Sequence, residues 1–209
     1  MNNCEFILLI MNCHKYRHKA IQQKNDWLKN IPNNIRYFHV IGDKNMCDSN
    51  KFLFNYDENI LYVNTNDDYN SLPSKVIHSF EAVNETFNYR YIFKTDDDQI
   101  LVKNKFFDTL TKILNSKEYH YGGFSIDSPE YISKYYLIHN CLPENLILEA
   151  TKYCNGRFYF LKNDAIKNLL IKKEDICKRF IEDHAIGYYL DSKYKSNLLH
   201  INTSSIFKG

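Results

Sequence analysis

The sequence predicts an α/β domain built on a mostly parallel sheet. Short apolar runs alternate with amphipathic stretches, and the first hundred residues repeat a strand–helix–strand pattern. The 209 residues carry no linker-like stretch in the middle, so one domain is expected over 1–209 although the length allows between one and two at about 150 residues each.

Each element has its own warrant. Glu5 to Met11 is a compact aliphatic run and reads as a buried strand. Residues 16 to 30 carry Ala20, Ile21, Trp27 and Leu28 among polar residues and read as a helix that stops before Pro32. Ile35 to Ile41 is a second strand, ended by Gly42-Asp43, and Asn59 to Val63 a third. From Ser74 to Phe87, Val76, Ile77, Phe80, Val83 and Phe87 recur at three- and four-residue spacing, which predicts a helix. Tyr89 to Lys94 is a fourth strand, followed at once by Asp96-Asp97-Asp98.

The second half is less regular. It reads as a helix over Phe106 to Leu114 and a strand over Tyr119 to Ser125 carrying Gly122-Gly123. Residues 126 to 150 read as loop and helix. Then come a strand over Arg157 to Leu161, helices over Asp164 to Ile171 and Asp183 to Leu190, and a short strand over Leu198 to Ile201.

Composition excludes several classes. With 44% apolar and 25% charged residues, the chain is globular, not disordered or fibrous. A net charge of +2, from 27 basic and 25 acidic residues, implies no nucleic-acid partner. The run Phe6 to Met11 is far too short for a membrane span of about 20 residues, and no signal-peptide cleavage region follows it. The six cysteines, Cys47 among them, form no C-x-x-C pair, so neither a zinc site nor a disulfide framework is expected. Lys outnumbers Arg 22 to 5 and Asn, Ile and Tyr are abundant, a skew that reads as an A/T-rich genome of a microbe, protist or large virus.

The acidic triplet is the most informative stretch. In an extended chain residues i and i+2 point the same way, about 6.5–7 Å apart, so Asp96 and Asp98 share a face and Asp97 points away. That suits a hard divalent cation with phosphate oxygens. Ligands of α/β sheets gather at the carboxyl ends of strands, where this triplet falls. The plainer alternative is an acidic surface turn.

Further elements stand in order around it: Asp67, Tyr69, Leu72 and Lys75; Lys94 with Asp96, Asp97 and Asp98; Tyr153, Cys154 and Gly156; Glu182, Asp183 and Gly187. In this order and spacing, from about residue 5 to 200, the chain resembles the β-1,3-glycosyltransferases of the Fringe, core-1 and β-1,3-galactosyl/GlcNAc-transferase group. It departs from that pattern at Ser71 and His184, and Asn12 to Trp27 matches only loosely.

The resemblance implies a single GT-A fold: a Rossmann-like nucleotide-sugar half to about residue 100, an acceptor half over about 101–209, and a mixed central sheet. It implies a UDP-sugar donor, Mn²⁺ or Mg²⁺, and a glycan or glycoprotein acceptor. Asp98 is the expected direct metal ligand, with Asp96 beside it and His200 as a further ligand or a merely packed histidine. Asp97, Lys75 and Asp67 are expected around the nucleotide, Lys75 alternatively pairing with a carboxylate of the triplet. Asp183 is the expected base of an inverting transfer, with Glu182 beside it; the alternative is that the two cap the helix. Gly123 and Gly156 let the backbone approach the sugar, or are ordinary turn glycines. Tyr135, Tyr136, Tyr188 and Tyr189 stack on the acceptor or simply pack.

The expected activity is a metal-dependent inverting glycosyl transfer that forms a β-linkage, β-1,3 by resemblance. The second reading is a non-catalytic carbohydrate-binding or regulatory module on the same fold. A nucleotidyltransferase would need a glycine-rich phosphate loop, and none is seen. The short length and the lack of an anchor predict a soluble cytoplasmic enzyme.

Overall fold

The computed structural model describes residues 2–46 and 51–209. Eight strands form one sheet: β1 (Phe6–Met11), β2 (Ile35–Gly42), β3 (Phe52–Asn55), β4 (Ile60–Val63), β5 (Tyr91–Asp96), β6 (Tyr121–Ser128), β7 (Thr151–Lys162) and β8 (Leu199–His200). The helices are α1 (Arg17–Asn25), α2 (Leu72–Thr86), α3 (Phe106–Ser116), α4 (Asn163–Ile171), α5 (Lys173–Ile176), α6 (Glu182–Tyr189) and α7 (Ser192–Lys195).

Strand β1 is buried at every position, as its unbroken apolar run requires of a strand covered on both faces. Its side chains alternate between two cores. Ile7, Leu9 and Met11 pack with Val76, Phe80 and Ile166 of α2 and α4. Phe6, Leu8 and Ile10 pack on the other face with Trp27, Phe107 and Phe158. Each such fully buried side chain contributes roughly 1.5–3 kcal/mol.

The sheet order is β8-β6-β7-β5-β1-β2-β4-β3. β4, β2, β1 and β5 run parallel. β3 is antiparallel to β4, and β7 is antiparallel to both β5 and β6. The sheet is therefore mixed, with its parallel block in the first half. The chain winds from β1 to β2 on one side and returns to β5 on the other, so the order reverses between β1 and β5. Crevices at such reversals, outside the carboxyl ends of the strands, are where α/β sheets bind ligands. Met11 pairs with Asp96 in register, which places the loops after β1 and β5 side by side there.

Several elements differ from expectation. The helix expected to residue 30 ends at Asn25, because Asp26 leaves helical geometry, and Trp27 and Leu28 continue as a buried turn. Strand β3 was not expected; it is a short edge strand, only partly buried. Residues 126 to 150 contain no α-helix: they finish β6, form a 3-10 turn at Tyr135–Leu137, and pair Tyr131–Ile132 with Ile147–Leu148. β7 begins at Thr151, not Arg157. The register jumps between Cys154 and Tyr159, five residues on β7 spanning the two steps from Ser125 to Gly123 on β6. This bulge pushes Asn155, Gly156 and Arg157 out of the ladder.

No helix among the described residues is long and apolar enough to cross a membrane. Cys4, Cys13, Cys141, Cys154 and Cys177 are free thiols; Cys47 lies outside the described residues.

Candidate active site

A pocket of about 600 Å³ opens at the β1/β5 reversal. Its wall is assembled from the loop after β1, the loop before α2, the Asp96-Asp97-Asp98 turn, the Tyr135–His139 segment, the β7 bulge and the first turn of α6.

The triplet does not stay extended. β5 ends at Asp96, and Asp97 and Asp98 form a turn, so the expected alternation of faces does not reach Asp98. All three carboxylates line the pocket, each with different partners. Asp96 Oδ1 lies 2.8 Å from Lys94 Nζ. Asp97 accepts from Asn12 Nδ2 at 2.8 Å and from Lys19 Nζ at 3.2 Å. Asp98 is exposed and accepts from Gln99 Nε2 at 2.8 Å through one oxygen. Beneath the turn, buried Gln23 donates to Gln99 O at 2.9 Å and meets His39 Nε2 at 3.0 Å through its own oxygen. Burial, and then nearby Lys24, holds His39 down to about 3, so it is a neutral support.

Lys94 sits at the centre, 1% exposed. Its ammonium reaches Asp96 Oδ1, Glu182 Oε2 at 3.2 Å and Gly156 O at 2.9 Å. Burial lowers its pKa; Asp96 and Glu182 outweigh burial and keep it charged. Glu182 is also held by the hydroxyl of Tyr159. Burial pushes the Asp96 carboxyl up to about 6, with Lys94 opposing. About a third of that side chain stays open to the pocket, and solvent there weakens the push.

Asp183 accepts from Gly156 N at 2.8 Å through Oδ2 and from His184 N at 2.8 Å through Oδ1. The N-cap of α6 is Ile181, with no side-chain cap bond. Neither residue stands at the N-cap, but Asp183 Oδ1 takes the first-turn N–H of His184, while Glu182 turns to Lys94 and Tyr159. Burial raises the Asp183 carboxyl; Lys94 and the two backbone N–H bonds oppose it. Each oxygen has one such partner, and Asp183 lines the pocket.

Asp67 and Lys75 form a clamp. Asp67 accepts from His14 N at 2.6 Å, Gly42 N at 2.9 Å and Lys75 Nζ at 2.6 Å. Lys75, 3% exposed, also donates to Asn12 O at 2.8 Å. It pairs with Asp67 and with no carboxylate of the triplet. The clamp ties α2 to the loops after β1 and β2.

Gly156 lies in the bulge, where a Cβ would stand 3.4 Å from both Asp183 Oδ2 and Lys94 Nζ. Gly123 does not line the pocket. It faces the bulge from β6, where a Cβ would come within 2.7 Å of Phe158 O, so close packing explains it. His200 also lies outside the pocket lining; its Nδ1 is engaged by Ser125 Oγ at 2.8 Å and its ring lies against Phe124. Lys94, Asn12, Lys19, Tyr69, His139 and Arg157 were not singled out from sequence, though Lys94 and Tyr69 stand inside the matched motifs.

Among the described residues, no three His, Cys or acidic side chains already converge where an ion can sit. Small divalent cations are commonly held by one or two carboxylates with substrate phosphates and water. Asp98 and Asp96, both lining the pocket and each with one oxygen outside its named contact, fit that arrangement.

A sequence model described as Galactosyltransferase matches residues 16–197. Over 126 residues the chain is 28% identical to UDP-GalNAc:beta-1,3-N-acetylgalactosaminyltransferase 1 of Sus scrofa, a stretch covering 60% of this chain and 38% of that relative. The match thus spans well under half of the relative's length. A glycosyltransferase involved in the glycosylation of the major capsid of PBCV-1 superposes with a TM-score of 0.52 at 12% identity, over 95% of this chain and 82% of that one. A putative glucose-1-phosphate thymidylyltransferase of Bacillus anthracis gives 0.51 at 12% identity, over 95% and 86%. These likenesses concern fold alone, and the fold is that of the GT-A glycosyltransferases.

Proposed function

The chain belongs to the galactosyltransferase family, and from that premise we propose that it transfers a sugar from a UDP-linked donor to a hydroxyl of a glycan or glycoprotein acceptor, with inversion and a β-1,3 linkage. One observation carries the reading. Asp98, with an oxygen free for a donor complex, and Asp183, with lone pairs free for a proton, face the same pocket at the β1/β5 reversal.

Asp98 and Asp96 would hold a Mn²⁺ or Mg²⁺ ion, which supplies charge neutralisation for the departing diphosphate. The residues of the chain do the rest. The loop after β1, fixed by Asn12 and Lys19 on Asp97, walls the nucleotide side. Asp67 and Lys75 hold that loop in place. The acceptor oxygen attacks the anomeric carbon and loses its proton to Asp183, while the bond from that carbon to the diphosphate oxygen breaks. Burial raises the Asp183 carboxyl, while Lys94, the N–H groups of Gly156 and His184, and its place at a helix N-terminus favour the ionised form that this step uses.

A thermal-shift screen of nucleotide-sugars with Mn²⁺ tests the reading. One UDP-sugar is expected to raise Tm more than the rest, in a Mn²⁺-dependent way. A protein that no nucleotide or nucleotide-sugar stabilises contradicts it and favours the carbohydrate-binding module.

A further inference from the structure

Two aromatic rings from opposite halves of the chain meet on the pocket wall. The rings of Tyr69, from the loop before α2, and His139, from the loop after the Tyr135–Leu137 turn, stack with centroids 3.9 Å apart and planes 15° apart. Asn70 Nδ2 donates to Cys141 O at 3.2 Å and ties the same two loops. Tyr69, His139 and Tyr135 all line the pocket that holds Asp183.

These rings are not core packing. Tyr69 is 36% exposed and Tyr135 41%, whereas Tyr91, Tyr121 and Tyr159 are at most 1% exposed. Their hydroxyls also sense the carboxylate. Burial first, and then the charge of Asp183, pushes Tyr69 up to about 12 and raises Tyr135. Both stay protonated and can donate within the pocket that Asp183 also lines.

We propose that Tyr69 and His139 form a platform for a pyranose ring of the acceptor, flanked by Tyr135, which turns one hydroxyl of that ring towards Asp183. The inference rests on the reading of Asp183 as the base. Each ring covers one face of the other, and one face of a pyranose, lined by C–H groups, suits a ring face that the pair leaves outward. The hydroxyls at its edge suit phenol and carboxylate partners. A Ser or Thr side chain has no such face, so a platform selects an acceptor that ends in a sugar.

The test is a saturation-transfer NMR titration of the full chain with UDP and Mn²⁺ present. The probes are methyl β-pyranosides of galactose, glucose, GlcNAc and GalNAc, and a Ser/Thr-rich peptide. At least one pyranoside is expected to bind saturably, with the strongest transfer to the protons of one ring face. Tyr69→Ala and His139→Ala should each weaken it at least fivefold, and Tyr69→Phe should restore most of the loss. His139 lies on a surface loop, so its variant keeps the test alive if Tyr69→Ala fails to fold.

Absence of pyranoside binding by the wild type overturns the platform, as does binding by both alanine variants that equals the wild type. Peptide binding with the same sensitivity overturns the sugar acceptor. Calorimetry with UDP on the same samples reads the nucleotide site separately. UDP binding without pyranoside binding overturns the platform alone. Pyranoside binding without UDP binding supports the platform and overturns the transferase reading.

Discussion

The buried ammonium of Lys94 lies 3.2 Å from Glu182 Oε2, and this pair joins the two sides of the pocket. The same nitrogen holds Asp96 and the carbonyl of Gly156, and the N–H of Gly156 holds Asp183. One lysine thus sets the acidic turn, the β7 bulge and the start of α6 relative to one another. A lysine on a central strand is costly to bury, and it is tolerated here because each of its three protons has an acceptor.

Lys94→Met keeps the length of the side chain and removes its charge. It leaves buried Glu182, and the partly open Asp96, without their cation, so stability should fall by about 3 kcal/mol in urea unfolding. A loss within experimental error would show that solvent reaches these carboxylates freely.

Asp183→Asn should lower donor turnover by about 10²–10⁴-fold and leave UDP binding in place. In the wild type, burial raises the Asp183 carboxyl, so the acid limb of the rate profile should lie above the ordinary aspartate range. Wild-type rates in Asp183→Asn would remove Asp183 from the chemistry.

Asp96 has a sign of its own. Its carboxyl is raised from 3.8 to about 6, so the folded chain holds the proton more tightly than the unfolded one. Its contribution to stability is present below pH 3.8 and is lost as pH rises through about 6. Asp96→Asn should therefore flatten the fall in Tm between about pH 4 and 6, read as a difference between the two pH profiles. Parallel profiles would mean that Lys94 fully compensates the burial.

The Asp67–Lys75 clamp predicts a defect in stability. Lys75→Met should lower unfolding free energy by about 3 kcal/mol, because it strips Asp67 of its cation and Asn12 O of a donor. Hydrogen exchange should locate the loosening in residues 12–16 and 64–70. Unaltered exchange there would contradict the clamp.

Much of this was legible in the sequence, for physical reasons. The unbroken apolar run of β1 and the largely apolar runs of β2, β4 and β5 reveal these strands, since strands covered on both faces carry few polar positions to confuse the pattern. The spacing in α2 is equally plain, because one face packs on the sheet. β3 hides because it is a short edge strand, and β7 hides because Asn155 and Gly156 look like its start when they are a bulge inside it. Asp96, Asp97, Asp98, Glu182 and Asp183 are visible as clustered carboxylates. Lys94 is visible as a motif position but its role is not, because only the fold shows that it reaches α6 across 88 residues of chain. His200 looks like a ligand at a strand end, yet its ring is held by Ser125 and Phe124 outside the pocket lining.

The central claim is that the acidic turn takes a nucleotide together with a divalent cation. Titration calorimetry of UDP into the wild type and Asp98→Ala, with and without Mn²⁺, tests it most directly. The account predicts saturable UDP binding by the wild type that depends on Mn²⁺ and falls at least tenfold in Asp98→Ala. UDP binding that ignores both Mn²⁺ and Asp98, or no UDP binding at all, would contradict it.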